Sequence, residues 1–234
     1  MAAVASEKLL GWSLELGQIS YERVLGWQHG LVKMREHGLA RDTILTVEHH
    51  PVVTVGKDGH RENFDGLDEE PYFVERGGDV TYHGPGQLVA YFIFNLTRRG
   101  RDIHLFMDGI QDGIIKALKE IGITATRGDE HTGVWVKDKK IASIGVAVKR
   151  WITFHGAAIN LNTKLSDFKK INPCGLDAAV MTSAQKILGK KVNLKTFSHV
   201  LIEKYAQVFD TDFTPVSLEA LAETLESQAG GYEI

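Results

Sequence analysis

The chain has 234 residues, 43% of them hydrophobic and 24% charged, enough to bury an ample core and ordinary for a water-soluble globular protein. No run approaches the ~18 apolar residues of a membrane span, and Met1-Ala2-Ala3-Val4-Ala5-Ser6-Glu7-Lys8 lacks the basic and apolar stretches of a secretory signal. One cysteine excludes an internal disulfide framework and fits a reducing compartment, so a cytoplasmic enzyme is expected.

Charge is unevenly spread. Residues 137–195 hold 12 Lys/Arg against 3 Asp/Glu, whereas residues 1–136 hold 14 against 20 and residues 196–234 hold 1 against 7. A basic middle third is either a solvated lysine face or, if it surrounds the chemistry, an attractor for an acidic partner. Nucleic acid is not expected, because the segment carries no recognised binding motif or stacking platform.

In chain order, residues 20–36 read as an amphipathic helix stopped by Gly38. Two β-branched runs follow, 43–47 and 52–55, joined by Glu48-His49-His50-Pro51. Residues 56–75 are acidic and turn-rich and read as an excursion over the surface. Arg76-Gly77-Gly78-Asp79-Val80-Thr81-Tyr82-His83-Gly84-Pro85-Gly86-Gln87 comes next and leads straight into an apolar run, 88–94, that reads as a buried strand. A second helix spans 103–121. Strands are then expected at 133–136, 141–148 and 153–161, with Lys137-Asp138-Lys139-Lys140 as a hairpin turn between the first two. Helices follow at 178–188, 196–209 and 217–226. Helices mixed with hairpin-connected strands point to an α/β or α+β fold with a mixed or largely antiparallel sheet and flanking helices. The expected organisation is one domain over 1–234, with a core at about 18–210 and a helical C-terminal tail.

The glycine stretch carries the first chemical signal. Glycine lets a backbone approach a ligand closely, but the stretch lacks the lysine of a phosphate-binding loop and the spacing of a dinucleotide fingerprint. A tight hairpin with an incidental histidine is the bland alternative. Cys174, in Asn172-Pro173-Cys174-Gly175, is the second. Its Pro and Gly neighbours argue for a loop, where a nearby cation would lower the thiol pKa and suit a nucleophile; a small buried packing thiol is the bland alternative. Lys137, Lys139 and Lys140 crowd one turn. A lysine at the strand mouth can be partly desolvated and suits proton transfer, although spacing does not say which of the three turns inward. His49, His50, His83 and His155 invite a metal reading, but none has the helical spacing of a zinc site and the one cysteine lacks a partner, so no metal is expected. His83 and His155 each precede a glycine and are candidates to line a pocket. The small residues Ala142, Gly145, Gly156, Ala157 and Ala158 leave room for an apolar ligand, or simply for close strand packing.

Taken together, Arg76-Gly77-Gly78 through Gln87, then Lys140-Ile141-Ala142-Ser143-Ile144-Gly145, then Phe154-His155-Gly156, then Asn172-Pro173-Cys174-Gly175 resemble the lipoyl(octanoyl) transferase family, octanoyl-[acyl-carrier-protein]:protein N-octanoyltransferases. The resemblance runs from about Glu48 to Ser183, with the motifs in the family's order. It implies the fold shared with biotin and lipoate protein ligases. It also implies transfer of an octanoyl group from acyl carrier protein to a specific lysine of lipoyl domains, those of 2-oxoacid dehydrogenase E2 subunits and of the glycine cleavage H protein, the first step of endogenous protein lipoylation, with no cofactor. Carried over, Cys174 matches the acyl-thioester nucleophile and Lys140 the lysine that lowers its pKa. Arg76, Gly77, Gly78, Asp79, Val80, Thr81, Tyr82, His83, Ser143, Ile144, Gly145, Gly156, Ala157 and Ala158 match the segments lining the substrate pocket. Backbone N–H groups near Cys174 or the glycine loop, with His83, are candidate oxyanion donors. A monomer is the expected state.

The nearest rival is an ATP-dependent lipoate or biotin-type ligase, which shares the fold and a pocket lysine but needs no cysteine. A non-catalytic acyl-binding module and a cysteine hydrolase are further alternatives, distinguished by whether Cys174 carries a thioester and whether an amine is needed to discharge it.

Overall fold

The computed structural model describes residues 8–67, 69–128 and 131–221, and of Cys174 the backbone alone. Its strands and helices are β1 (Leu9–Ile19), α1 (Tyr21–Glu36), β2 (Asp42–His49), β3 (Val52–Val55), β4 (Tyr72–Phe73), β5 (Val80–His83), β6 (Gln87–Ile93), α2 (Ile103–Glu120), β7 (Thr126–Arg127), β8 (Val134–Val136), β9 (Lys139–Lys149), β10 (Ile152–Asn160), α3 (Ala184–Leu188), α4 (Leu194–Val208) and β11 (Thr211–Pro215).

Among the described residues the strands form an eight-stranded sheet, ordered β11-β1-β2-β6-β10-β9-β8-β7, and a three-stranded sheet, β4-β3-β5. The large sheet is mixed. β1 runs parallel to β11 and β2, and every other pairing in it is antiparallel. The parallel β1–β2 pair requires a crossover, which α1 supplies. The β9–β10 hairpin is tight. Lys149 pairs with Ile152, and the two residues between, Arg150 and Trp151, both take positive φ (51° and 65°), the backbone of the two-residue turn whose twist matches the strands.

Alternation along the strands sorts side chains to two faces. Ile44, Ala90, Phe92, Ala157 and Ile159 face one way, against Phe106, Ile110 and Ile114 of α2 and Phe197, Leu201 and Tyr205 of α4. The apolar residues of α2 recur three or four apart, so one stripe meets the sheet. Gly113 on that helix is a close-approach residue: a Cβ there would stand 2.2 Å from the Tyr205 ring. On the opposite face, Leu14, Leu45, Val89, Tyr91 and Ala158 pack under Tyr21, Val24 and Leu31 of α1. A third cluster, with Val80, Tyr82, Phe64, Phe168 and Met181, joins the small sheet to the turns around Arg61–Asn63 and Leu165–Lys170.

Several elements depart from the sequence reading. β1 and β11 form strands that no local pattern marked, because they pair with each other across two hundred residues of chain and β1 is interrupted by Gly11 and Gly17. β5 lies inside the glycine stretch. The helix expected over 178–188 is two pieces, a 3-10 turn Ala178–Val180 and α3, because Met181 forms a parallel bridge with Lys140 between them. The Asp177 and Ser183 side chains cap the two pieces separately. The surface excursion 56–75 contains a 3-10 turn, Arg61–Asn63, and the short β4, and it buries Asn63, Phe64 and Val74. Of the helix expected over 217–226, residues 218–221 are helical and the remainder lies outside the described residues.

Candidate active site

The middle of the large sheet opens into a cavity on the α1 face. Cross-strand register builds its floor in two rows of three residues: Ser143, Ala158 and Val89 lie side by side, as do Gly145, Gly156 and Tyr91. Directly opposed residues of antiparallel strands share a face, so small side chains in both rows leave a trough. Thr81 and His83 of β5, Tyr21 of α1 and the Arg76-Gly77-Gly78 loop close it. The loop is held on the floor by the Gly77 N–H, which donates to the Val146 carbonyl at 3.0 Å. Arg76 is buried and donates through Nη2 to the Thr54 carbonyl and hydroxyl at 2.9 and 3.0 Å.

Alternation divides the glycine-stretch candidates. Arg76, Gly77, Gly78, Thr81 and His83 line the cavity, as do Ser143, Gly145, Gly156 and Ala158, while Ile144 and Ala157 border it with their side chains packed in the core on the α2 and α4 side. Val80 and Tyr82 turn to the opposite side of β5, into the third core cluster, where the Tyr82 hydroxyl donates to Asp167 at 3.1 Å. The Asp79 carboxylate also points away from the lumen. Its Oδ1 accepts from the N–H groups of His60 and Val80 at 3.1 and 2.7 Å, and its Oδ2 accepts from Asn63 Nδ2.

The tautomers of His83, in the cavity, and of His49 behind it follow from hydrogen-bond chains that each end on a group that only accepts. The Tyr82 carbonyl accepts from Gln87 Nε2 at 3.1 Å, and Asn160 Oδ1 accepts from the same nitrogen at 3.0 Å. Gln87 Oε1 therefore faces His83 Nδ1 at 2.8 Å, and the ring must donate there. Nε2 is left with a lone pair, so His83 is an acceptor at the cavity and not the oxyanion donor that the sequence suggested. Burial, reinforced by His49 and Arg76, lowers its pKa to about 3 and keeps it neutral. His49 follows the same logic. Its Nδ1–H donates to the Ile19 carbonyl at 2.9 Å, so Nε2 accepts the Tyr91 hydroxyl at 2.8 Å, and burial lowers its pKa to about 4. That bond ties the Tyr91 hydroxyl and leaves its ring to the wall. His155 sits in the left-handed region at φ 59° and gives its backbone N–H to Gln28 Oε1 of α1 at 2.8 Å, where β10 parts from β6.

At the other end of β9 the structure separates the three lysines of the turn. Lys137 is exposed, Lys139 half-buried and paired with Asp138 at 3.3 Å, and Lys140 is 3% exposed. The Lys140 ammonium lies 5.6 Å from the centroid of the Trp135 ring. Its stem passes over Gly133, where a Cβ would stand 2.6 Å from Lys140 Cε. Cys174 occupies the 3-10 turn Pro173–Gly175, which packs on β5, and the chain beyond it returns to Lys140 through the Met181 bridge. The Cys174 turn and Lys140 thus lie near one end of β9, while the Arg76 loop and His155 meet that strand further along, at Val146. Among the described residues no group of three or more His, Cys, Asp or Glu side chains could hold a metal ion, and no helix is long and apolar enough to cross a membrane.

Sequence reasoning did not single out Tyr21, Val89 or Tyr91 for the cavity, nor Gly133 and Trp135 beside Lys140. Gln87 was the last residue of the glycine motif, yet only its contacts reveal that it orients His83.

The lipoyl protein ligase A/B catalytic domain family matches residues 20–206. An octanoyltransferase of Caldanaerobacter subterraneus subsp. tengcongensis is 45% identical over 186 residues, covering 76% of this chain and 81% of that protein. An octanoyltransferase of Thermoanaerobacter sp. (strain X514) is 40% identical over 225 residues, covering 91% and 96%. Among solved structures, lipoate-protein ligase A bound with ATP shares the fold at a TM-score of 0.75 and 16% identity, over 94% of this chain and 95% of that one. A biotin protein ligase from Aquifex aeolicus in complex with biotin and ATP does so at 0.52 and 14%, over 85% and 70%. The chain belongs to the octanoyltransferases, within the lipoyl protein ligase A/B catalytic-domain family.

Proposed function

We propose that this acyltransferase takes its octanoyl group from acyl carrier protein, holds it as a thioester on Cys174, and delivers it to a lysine of a lipoyl domain, with Lys140 as the proton-handling partner. The acceptors on this reading are the lipoyl domains of 2-oxoacid dehydrogenase E2 subunits and the glycine cleavage H protein. The observation that carries it is the buried Lys140 on the strand that receives the chain returning from the Cys174 turn.

In the first half-reaction Lys140 takes the thiol proton and the Cys174 sulfur attacks the carrier thioester. A new S–C bond forms, the old one breaks, and the carrier leaves as a thiol with the proton that Lys140 held. One thioester replaces another, so little free energy changes. In the second, the acceptor amine attacks the acyl carbon, a C–N bond forms and the C–S bond to Cys174 breaks. The amine proton ends on the dyad. An amide replaces a thioester, which is downhill and needs no ATP. The acyl chain lies in the trough along β9, which begins about 10 Å from Lys140 at Ser143 and reaches Gly145 at about 17 Å, counting ~3.4 Å per residue. The exposed Lys137, Lys164, Lys169 and Lys170 belong to the basic segment that would face an acidic carrier protein.

Intact-protein mass spectrometry after mixing with octanoyl-acyl carrier protein, without ATP, tests the reading. A hydroxylamine-labile octanoyl adduct is expected on the wild type and not on Cys174→Ser, and adding a lipoyl domain discharges it to a lysine amide. Acylation only with ATP and free octanoate would point to ligase chemistry instead.

A further inference from the structure

The turn that carries Cys174 is hung on a residue outside every motif. The Asn172 N–H donates to the Asn63 carbonyl at 2.9 Å, and the Asn172 carbonyl accepts from the Gly175 N–H at 3.0 Å, closing the turn. Asn63 is itself pinned: it is 8% exposed, and its Nδ2 donates to Asp79 Oδ2. Asp79, equally buried, takes the His60 and Val80 N–H groups on its other oxygen and so ties the segment before Asn63 to the start of β5. The Asn63 amide lies beside the turn's last residue, with a Cβ on Gly175 falling 3.9 Å from Nδ2.

We propose that Asn63 is a positioning residue for octanoyl transfer: its side-chain bond to Asp79 fixes the backbone carbonyl that holds the Asn172–Gly175 turn in register with β5. The proposal rests on the reading of Cys174 as nucleophile. A carboxylate and an amide suit the task because Asp79 accepts on all sides and Asn63 supplies the matching donor, so the pair has one satisfied arrangement. A shift of ~1 Å in a reacting group costs on the order of 10²-fold in rate, which sets the scale of the effect.

Because Cys174 is the only cysteine, acylation and alkylation each report on that one group. Full-length wild type, Asn63→Asp, Asn63→Ala and the double variant Asn63→Asp/Asp79→Asn are mixed with octanoyl-acyl carrier protein, and the octanoyl adduct is timed by intact mass. Two facing carboxylates should slow Asn63→Asp by roughly 10- to 100-fold. The exchanged pair restores a donor to an acceptor with polarity reversed, while the amide oxygen introduced by Asp79→Asn still serves the His60 and Val80 N–H groups, and should recover to within about threefold. Iodoacetamide alkylation against pH should show a shifted midpoint in Asn63→Ala, which a loss of stability alone would not produce. Asn63→Asp and Asn63→Ala acylating at the wild-type rate, or a folded exchange variant no faster than Asn63→Ala, would overturn the proposal. Should Asn63→Asp not fold, Asn63→Ala and the exchange variant decide it. No adduct on wild type, with Cys174→Ser still transferring octanoate, overturns the nucleophile and this proposal together. An adduct on wild type with unaffected Asn63 variants overturns this one alone.

Discussion

The Thr182 N–H donates to the Lys140 carbonyl at 2.9 Å. The lysine proposed to handle the proton anchors, through its backbone, the segment that follows Cys174. That segment is strung between Asn63 at residue 172 and Lys140 at residues 181–182. Side-chain and backbone functions of Lys140 separate by mutation. Lys140→Met keeps the stem and the backbone bond, so adduct formation should fall by at least ~100-fold, the scale of a lost acid–base group, while the thermal midpoint stays close to wild type. A large fall in the midpoint would show that the side chain is chiefly structural.

Gly133 should be as sensitive as the lysine it accommodates. It adopts φ 146°, and a Cβ would stand 2.6 Å from both Lys140 Cε and the Ala142 carbonyl. The backbone oxygen cannot yield as a flexible side chain can. Gly133→Ala is expected to destabilise by ~1–3 kcal/mol and to slow acylation by displacing the ammonium. Urea unfolding and single-turnover acylation on the same preparation check both.

Ala158 lies in the floor row between Ser143 and Val89. Ala158→Leu puts a branched side chain into the trough and should move the acyl preference toward shorter chains. Two methylenes excluded are worth about 1.6 kcal/mol, or roughly 15-fold between octanoyl and hexanoyl donors. Competition between the two carrier thioesters, read by mass, measures it. An unchanged ratio would place the chain elsewhere.

Stability should fall as pH drops from about 6.5 toward 4. His49 titrates near 4 in the native state because burial disfavours its cation, against an ordinary value of 6.5. Between those values the unfolded chain binds more protons, so acid favours unfolding. Its share is roughly 2–3 kcal/mol between pH 7.5 and 4.5. Urea unfolding at those two pH values should show a smaller drop in His49→Asn than in wild type, and an identical drop would refute the assignment.

Buried Asp42 carries an ion network between α1 and the 3-10 turn Leu96–Arg99. It accepts from Arg35 Nε at 2.8 Å and from Arg99 Nη2 at 2.9 Å, and Arg99 also lies 4.9 Å from the Phe94 ring centroid. Asp42→Ala leaves two part-buried cations without their carboxylate, although Arg99 keeps the Phe209 carbonyl and Thr211 hydroxyl, a loss of about 2–3 kcal/mol. Because none of Arg35, Asp42 and Arg99 lines the cavity, the adduct should still form at the wild-type rate at a temperature where the variant is folded.

The helices α1, α2 and α4 and strands β2, β3, β6, β9 and β10 were legible because each writes its period locally: apolar residues at helical spacing, or short β-branched and apolar runs bounded by glycine and charge. The site motifs were legible for a related reason, since unusual clusters such as Arg76–Gln87 and Asn172–Gly175 are chemically distinctive wherever they lie. Alternation along β5 then settles what the string could not, sending Thr81 and His83 to the cavity and Val80 and Tyr82 to the core. Spacing alone left three neighbouring lysines open and the family resemblance singled out Lys140; β9, with Gly133 and Trp135 around one stem, shows which of the three is buried. Asn63 is the extreme case. It stands in an acidic stretch that reads as surface, and its role exists only because Asp79 and Asn172, 16 and 109 residues away in sequence, meet it in space. Local periodicity and residue chemistry are properties of the string, whereas hydrogen-bond partners, tautomers and the inward choice among equals are set by long-range packing, which no short window of sequence contains.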